Sequence, residues 1–234
     1  MIELIQDGAG RLRTAQPETG ASQSLSELNV ANAEESDVDF VIHAFDSALP
    51  YLASIGSEAQ WGTTPFSEKP KVKSSFSAYA QRSYDIHNGA ESSSAPDEKD
   101  WKHLVLYEVR TPDGLWTRVA ALGVSCEFPD YVPDSLAGEG AKAAGNYAYL
   151  NYLISDRRAG DLARGAAANL VPLAERQARA LGKTIFFGDC WRGNNDGLVK
   201  YYERLGFQRV GPFDVPDKHG PNLEWTGYLF SKQL

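Results

Sequence analysis

The chain has 234 residues, room for one large domain or two small ones, and its 42% hydrophobic content supports a sizeable core. A formal charge of −8 opposes a general affinity for nucleic acid or anionic membrane, and no apolar run approaches the ~20 residues of a membrane span. The segment Met1-Ile2-Glu3-Leu4-Ile5-Gln6-Asp7 lacks the basic and apolar stretches of a secretory signal, Cys126 and Cys190 make no disulfide framework, and the four histidines show no metal-ligand spacing, so a reducing, cytoplasmic setting and no metal are expected.

A short strand is expected at Ile2–Ile5, then a loop or loose arm over residues 7–24, so that 1–24 precede a single domain at 25–234. Leu25–Val30 reads as a strand. Ser36 caps an apolar periodic run from Val38 to Ile55, a helix in which Pro50 predicts a kink or break near residue 49. Ser74–Ile86 is a second helix with Phe76, Tyr79, Ala80 and Tyr84 on one side, and His87–Asp100 is a solvated loop. His103–Arg110 and Leu115–Cys126 are strands joined by the turn Pro112-Asp113-Gly114. Phe128–Asn146 is a long connection of the kind that often carries function. Tyr147–Ser155 is a strand and Gly165–Leu181 a helix ended by Gly182. Thr184–Asp189 is a nearly continuous apolar strand suited to the centre of a sheet. Strands at Phe207–Val210 and Trp225–Phe230 close the chain. The order predicts a mixed α/β (α+β) domain with a parallel strand pair joined through residues 165–181.

Two segments carry chemistry. In Asn194-Asn195-Asp196-Gly197-Leu198-Val199-Lys200-Tyr201-Tyr202-Glu203-Arg204-Leu205-Gly206-Phe207, Leu198, Tyr201, Tyr202 and Leu205 recur at helical spacing. Asn194 and Asn195 are placed to cap the helix and Gly206 to end it. A phenol there serves either core packing or proton donation. The second segment, Asp156 to Ala168, is a small-residue turn between a strand and a helix. Backbone N–H groups at such a helix start bind phosphate oxygens, and Arg157, Arg158 or Arg164 can add charge.

Together these segments resemble the GNAT superfamily of acyl-CoA N-acyltransferases, most closely over residues 147–210. Leu162-Ala163-Arg164-Gly165-Ala166-Ala167 falls where that family has an Arg/Gln-x-x-Gly-x-Gly/Ala turn for the CoA pyrophosphate. Leu162 departs from that pattern, with Arg164 or Arg158 as substitutes, and Pro172 inside the following helix predicts a bend or a late start. Asn195 and Tyr202 match the family's second CoA motif. The resemblance implies a centrally splayed, mixed β-sheet flanked by helices, with acetyl-CoA as co-substrate and no metal.

The implied activity is transfer of an acetyl group to a primary amine of a small molecule by direct attack. Tyr202 is the implied general acid toward the departing thiolate. Backbone groups at Leu153, Ile154 and Ser155, with Arg164, Gly165, Ala166, Ala167, Asn195 and Tyr202, are the implied coenzyme contacts. The base is left open between Asp189, Glu127 and a water; Asp189 reads equally as a cap or salt-bridge partner. Gln60-Trp61-Gly62-Thr63-Thr64-Pro65-Phe66 resembles an element beside the acceptor site of small-molecule members. Trp61 and Glu58 are therefore acceptor-binding candidates, or a loop anchor and a solvated charge. A catalytically weak acyl-CoA-binding or regulatory module and a protein or peptide N-acetyltransferase are the alternatives. Monomer and homodimer are both compatible.

Overall fold

The computed structural model describes residues 5–7, 10–18, 25–88, 100–137, 141–222 and 224–234. Among them the strands are β1 (Ile5–Asp7), β2 (Gly10–Thr14), β3 (Lys102–Arg110), β4 (Trp116–Ser125), β5 (Tyr147–Ser155), β6 (Ile185–Trp191), β7 (Gln208–Val215) and β8 (Trp225–Gln233). The longer helices are α1 (Asp37–Ser54), α2 (Val72–Asn88), α3 (Ala166–Ala180) and α4 (Gly193–Arg204). The fold is mixed α/β, with helices flanking a sheet of parallel and antiparallel strands. Two compact units share the chain. One comprises Met1–Ala48, Thr64–Val124 and Tyr152–Leu170, the other Leu49–Thr63, Ser125–Asn151 and Val171–Leu234.

In the first unit the strand order is β1-β2-β3-β4-β5, the last contributing its C-terminal half. β2 pairs antiparallel with β3, Gly10 opposite Val109 and Thr14 opposite Val105. Residues 10–14 are therefore a buried strand, which corrects the loop expected over 7–24; residues 1–4, 8–9 and 19–24 lie outside those described. Polar composition disguised this strand, because two of its buried side chains are the guanidiniums of Arg11 and Arg13. Both donate through Nε to the buried Glu108, Arg13 at 2.8 Å. Arg13 also forks onto Asp37 at 2.5 and 2.8 Å, and Arg118 reaches Asp37 at 3.1 Å. Buried charges are tolerated only when matched in this way.

Asp37 opens α1, whose N-terminus is capped as expected: Ser36 Oγ accepts from the Asp39 amide at 3.0 Å and donates to the Asp39 carboxylate at 2.9 Å. α1 runs through Pro50 to Ser54, with Pro50 on the exposed side. Leu25–Val30 is not the expected strand. Residues 25–27 are helical and Val30 makes only an isolated bridge to Trp116. The β3–β4 turn forms as expected, Gly114 N–H donating to the Thr111 carbonyl at 2.9 Å. Gly123 in β4 is required by packing, since a Cβ there would stand 2.4 Å from the Tyr152 ring. Tyr152 in turn meets Phe45, Phe76 and Tyr79. Of the expected loop 87–100, residues 89–99 lie outside those described.

In the second unit the order is β5-β6-β8-β7. β5 and β6 are parallel, Tyr147 opposite Ile185 through Leu150 opposite Gly188. There the ladder stops, and Asp189, Cys190 and Trp191 continue against β8 alone. This is the parting of parallel strands that a splayed sheet requires. The long connection after β4 contains two helical turns, Asp134–Ala137 and Ala141–Ala144. One face of β6 and β8 is covered by an aromatic core that includes Phe128, Tyr149, Phe187, Trp191, Phe213 and Trp225.

Candidate functional site

The first unit holds the turn expected to meet a pyrophosphate. Asp156 caps it, its carboxylate accepting from the Arg158 amide at 2.9 Å. Arg157–Ala163 is a tight helical stretch broken at Gly160, and α3 starts at Ala166. The expected late start caused by Pro172 does not occur. That proline occupies an exposed position well inside the helix, which continues to Ala180. Gly165 adopts φ +75°, a left-handed conformation costly to other residues, and a Cβ on it would meet nothing within 4 Å. The first intrahelical bond joins the Ala168 amide to the Gly165 carbonyl at 3.1 Å. The amides of Ala166 and Ala167 precede it and have no intrahelical acceptor.

The arginines divide. Arg158 is engaged by Asp156 at 3.0 and 3.1 Å and by Glu35 at 2.9 Å. Arg164 is exposed and pairs with exposed Asp161 at 2.6 Å. Leu162 is itself exposed. Leu153, Ile154 and Ser155 lie on the half of β5 that belongs to this unit, Ile154 buried.

The second unit holds Asp189, Tyr202, Asn195, Trp61 and Glu58. In β6 the alternate residues Phe187, Asp189 and Trp191 share a face, and the apolar members belong to the aromatic core. A carboxylate in that row needs partners. Tyr149 donates to it at 2.5 Å and Tyr131 at 3.1 Å. Lys218, on the turn between β7 and β8, adds a nearby positive charge. Its Nζ lies 3.4 Å from the Trp225 ring centre and 3.8 Å from that of Tyr131. Burial raises the pKa of Asp189, against the opposing pull of Lys218 and the two hydroxyls. Asp189 therefore holds its proton more tightly than an ordinary aspartate, a property suited to a base.

Tyr202 belongs to the opposite face. Its ring stacks on Phe230 at 4.1 Å and meets Phe207 edge-on at 5.9 Å. Phe230 pairs with Gly188, where the parallel ladder ends. The ring is core, and burial raises the phenol's pKa. The Cys190 thiol is likewise pushed up by burial and is poorly suited to nucleophilic work.

The expected asparagine caps at the start of α4 are not made, whereas Gly206 ends the helix as expected, with φ 88° and its amide donating to the Glu203 carbonyl at 2.9 Å. Asn194, Asn195 and Asp196 all adopt left-handed φ of 52°, 55° and 57°. The Asn194 amide reaches away to Ser57 Oγ at 3.0 Å, while exposed Asn195 accepts from Lys200 through its carbonyl.

The Gln60–Phe66 element divides between the units. Phe66 stacks on Phe45 at 4.6 Å in the first, as a loop anchor would. In the second, Gln60's carbonyl accepts from Trp225 Nε1 at 2.9 Å, and His219 Nε2 lies 3.0 Å from it. This brings the Trp61 segment to the aromatic cluster around Asp189; Glu58 is exposed. Sequence reasoning missed Tyr131, Tyr149, Lys218 and Trp225. The one available signal was the charged residue in an apolar row, Ile185-Phe186-Phe187-Gly188-Asp189, which demanded partners.

No protein-family model and no curated protein matches the chain. Solved structures do. A ribosomal-protein-S5-alanine acetyltransferase from Vibrio fischeri is similar with a TM-score of 0.55 and 10% identity, over 98% of this chain and 96% of that one. An acetyltransferase of the GNAT family from Listeria monocytogenes 4b F2365 gives 0.50 and 18%, over 99% and 100%. A putative acetyltransferase, yncA, from Salmonella typhimurium, solved with its cofactor acetyl-CoA, gives 0.51 and 11%, over 97% and 95%. Identities this low speak to the fold alone, which this chain shares with these acetyltransferases, one of them described as of the GNAT family.

Proposed function

We propose that this protein is an acetyl-CoA-dependent N-acetyltransferase acting on the primary amine of a small molecule. The observation that carries the reading is the open glycine turn at Gly165, which starts α3 shortly after β5 in a chain of GNAT architecture. A Cβ-free, unobstructed turn ahead of a helix fits a diphosphate. The amides of Gly165, Ala166 and Ala167, with Arg164, hold that group, and Leu153, Ile154 and Ser155, in the same unit, hold the pantetheine arm. The coenzyme supplies an acyl group activated as a thioester.

The protein's own residues do the rest. The parallel ladder ends at Leu150 and Gly188, and beyond it Asp189 and Tyr202 face opposite sides of β6. A base on one side and an acid on the other suit a reaction in which the amine arrives from one face and the thiolate leaves by the other. Asp189 takes the proton of the acceptor ammonium. Tyr202, kept protonated by burial, donates to the departing sulfur. Trp61 and Glu58 border the acceptor side, and direct transfer needs no covalent enzyme intermediate.

The test is free-thiol release from acetyl-CoA with a panel of diamines, amino acids, aminoglycosides and N-terminal alanine peptides, run beside Tyr202→Phe. A kcat lowered in the variant with coenzyme affinity retained is the expected result. Full activity in Tyr202→Phe removes the acid. Coenzyme binding without turnover on any amine favours a binding module instead. The alanine peptides address the protein-acetylating alternative, which the name of the Vibrio fischeri neighbour keeps in view.

A further inference from the structure

We propose that the cage formed by Asp189, Tyr131 and Trp225 is a binding site for an unbranched primary alkylammonium, and that Lys218 fills it from within the chain until a ligand of the same chemistry displaces it. The Lys218 ammonium contacts two aromatic faces, 3.4 Å from the Trp225 centroid and 3.8 Å from that of Tyr131. The rings meet at 70°, so they form a corner rather than a slot. Tyr131 also donates its hydroxyl to the Asp189 carboxylate, which Tyr149 holds as well, and this carboxylate interacts with the Lys218 charge. Aromatic faces and a carboxylate together select a cation.

The walls and the occupant differ in how they are held. Trp225 is buried at 4% exposure and fixed through Nε1 to Gln60. Asp189 is fixed by two phenols. Lys218 instead belongs to a surface turn, where its neighbours Pro216 and Asp217 are exposed and Asp217 has a left-handed φ of 56°. A long flexible side chain on a turn can swing out while the walls keep their shape. The present occupant also defines what fits: an ammonium at the end of a straight alkyl stem. An α-amine beside a carbonyl brings a branch and an acceptor oxygen against the carboxylate. The cage therefore favours the terminal amine of a diamine, polyamine or lysine side chain. That the bound ammonium is the acyl acceptor rests on the acetyl-transfer reading; the cation site itself does not.

The test uses the full-length protein without coenzyme. Lys218→Ala and Lys218→Gln are titrated with n-butylammonium and cadaverine, followed by tryptophan fluorescence and melting temperature, with n-butanol as the neutral control. Both variants are expected to bind the ammonium at least about tenfold more tightly than the wild type. Adding Asp189→Asn is expected to remove the gain. Equal weak binding by wild type and both variants overturns the proposal and leaves Lys218 a fixed counter-ion of Asp189. A peptide with one internal lysine tests the source of the ammonium: binding as tight as that of cadaverine assigns it to a protein, and weaker binding to a small molecule. Preference for an N-terminal alanine peptide overturns the terminal-amine selectivity. Ammonium binding with no acetylation of any amine sinks the catalytic reading while sustaining this one.

Discussion

Asp189 carries opposite consequences for folding and for chemistry. Burial raises its pKa, so the folded protein holds this proton more tightly than the unfolded chain does. The resulting cost to stability is absent in acid and grows as pH rises through the raised value. Asp189→Asn removes it. At neutral pH the variant is expected to melt no lower than the wild type, while kcat falls by about 10²–10⁴-fold. The rise of rate with pH that belongs to this carboxyl is also expected to vanish. Calorimetry and a pH–rate profile on both proteins check the pair of outcomes; a lower melting temperature with unchanged kcat makes Asp189 structural only. His87 shows the same physics without an assigned function. It stacks on His103 at 3.6 Å, and burial lowers its pKa to about 4, so it is neutral at physiological pH.

Elements were legible wherever period and punctuation agreed. β5 spans the expected Tyr147–Ser155, and α1 begins beside the expected Ser36 cap. Ser36→Ala is expected to cost about 1 kcal/mol, read as a lower denaturant midpoint with unchanged slope. The turn before α3 makes a sharper demand. Gly165→Glu places a side chain and a negative charge on a left-handed residue, so acetyl-CoA is expected to stop raising the melting temperature. Unchanged coenzyme affinity would mean the diphosphate rests elsewhere. β2 was illegible because Arg11 and Arg13 read as surface residues; their partners Glu108 and Asp37 are remote in sequence, and pairing cannot be seen in a hydropathy pattern. The Asp189 cage was hidden for the same reason, being assembled from β5, β6, β8 and two loops. The left-handed run at Asn194–Asp196 escaped because asparagine suits both a helix cap and a left-handed turn.

For the molecule as a whole, the buried charges of the first unit are expected to set much of the acid sensitivity. Burial alone would raise the pKa of Asp37. The charge and hydrogen bonds of Arg13, then Arg118 and the Gln16 amide, outweigh it and hold the carboxyl below its ordinary range. Such a group stabilises the fold above the ordinary aspartate range, and that stability is lost as pH falls through the depressed value. Asp37→Asn is expected to cost on the order of 3–5 kcal/mol at neutral pH and to flatten the acid limb of the melting curve. A variant that keeps the wild-type acid limb places the sensitivity elsewhere. The network also has a consequence in time. Arg13 and Glu108 are 95 residues apart in sequence. At ~5–20 residues per second, a ribosome releases the strand bearing the two guanidiniums roughly 5–20 s before their glutamate exists. During synthesis the two guanidiniums wait for Glu108, so slowed elongation between β2 and β3 is expected to lower the soluble yield of the protein.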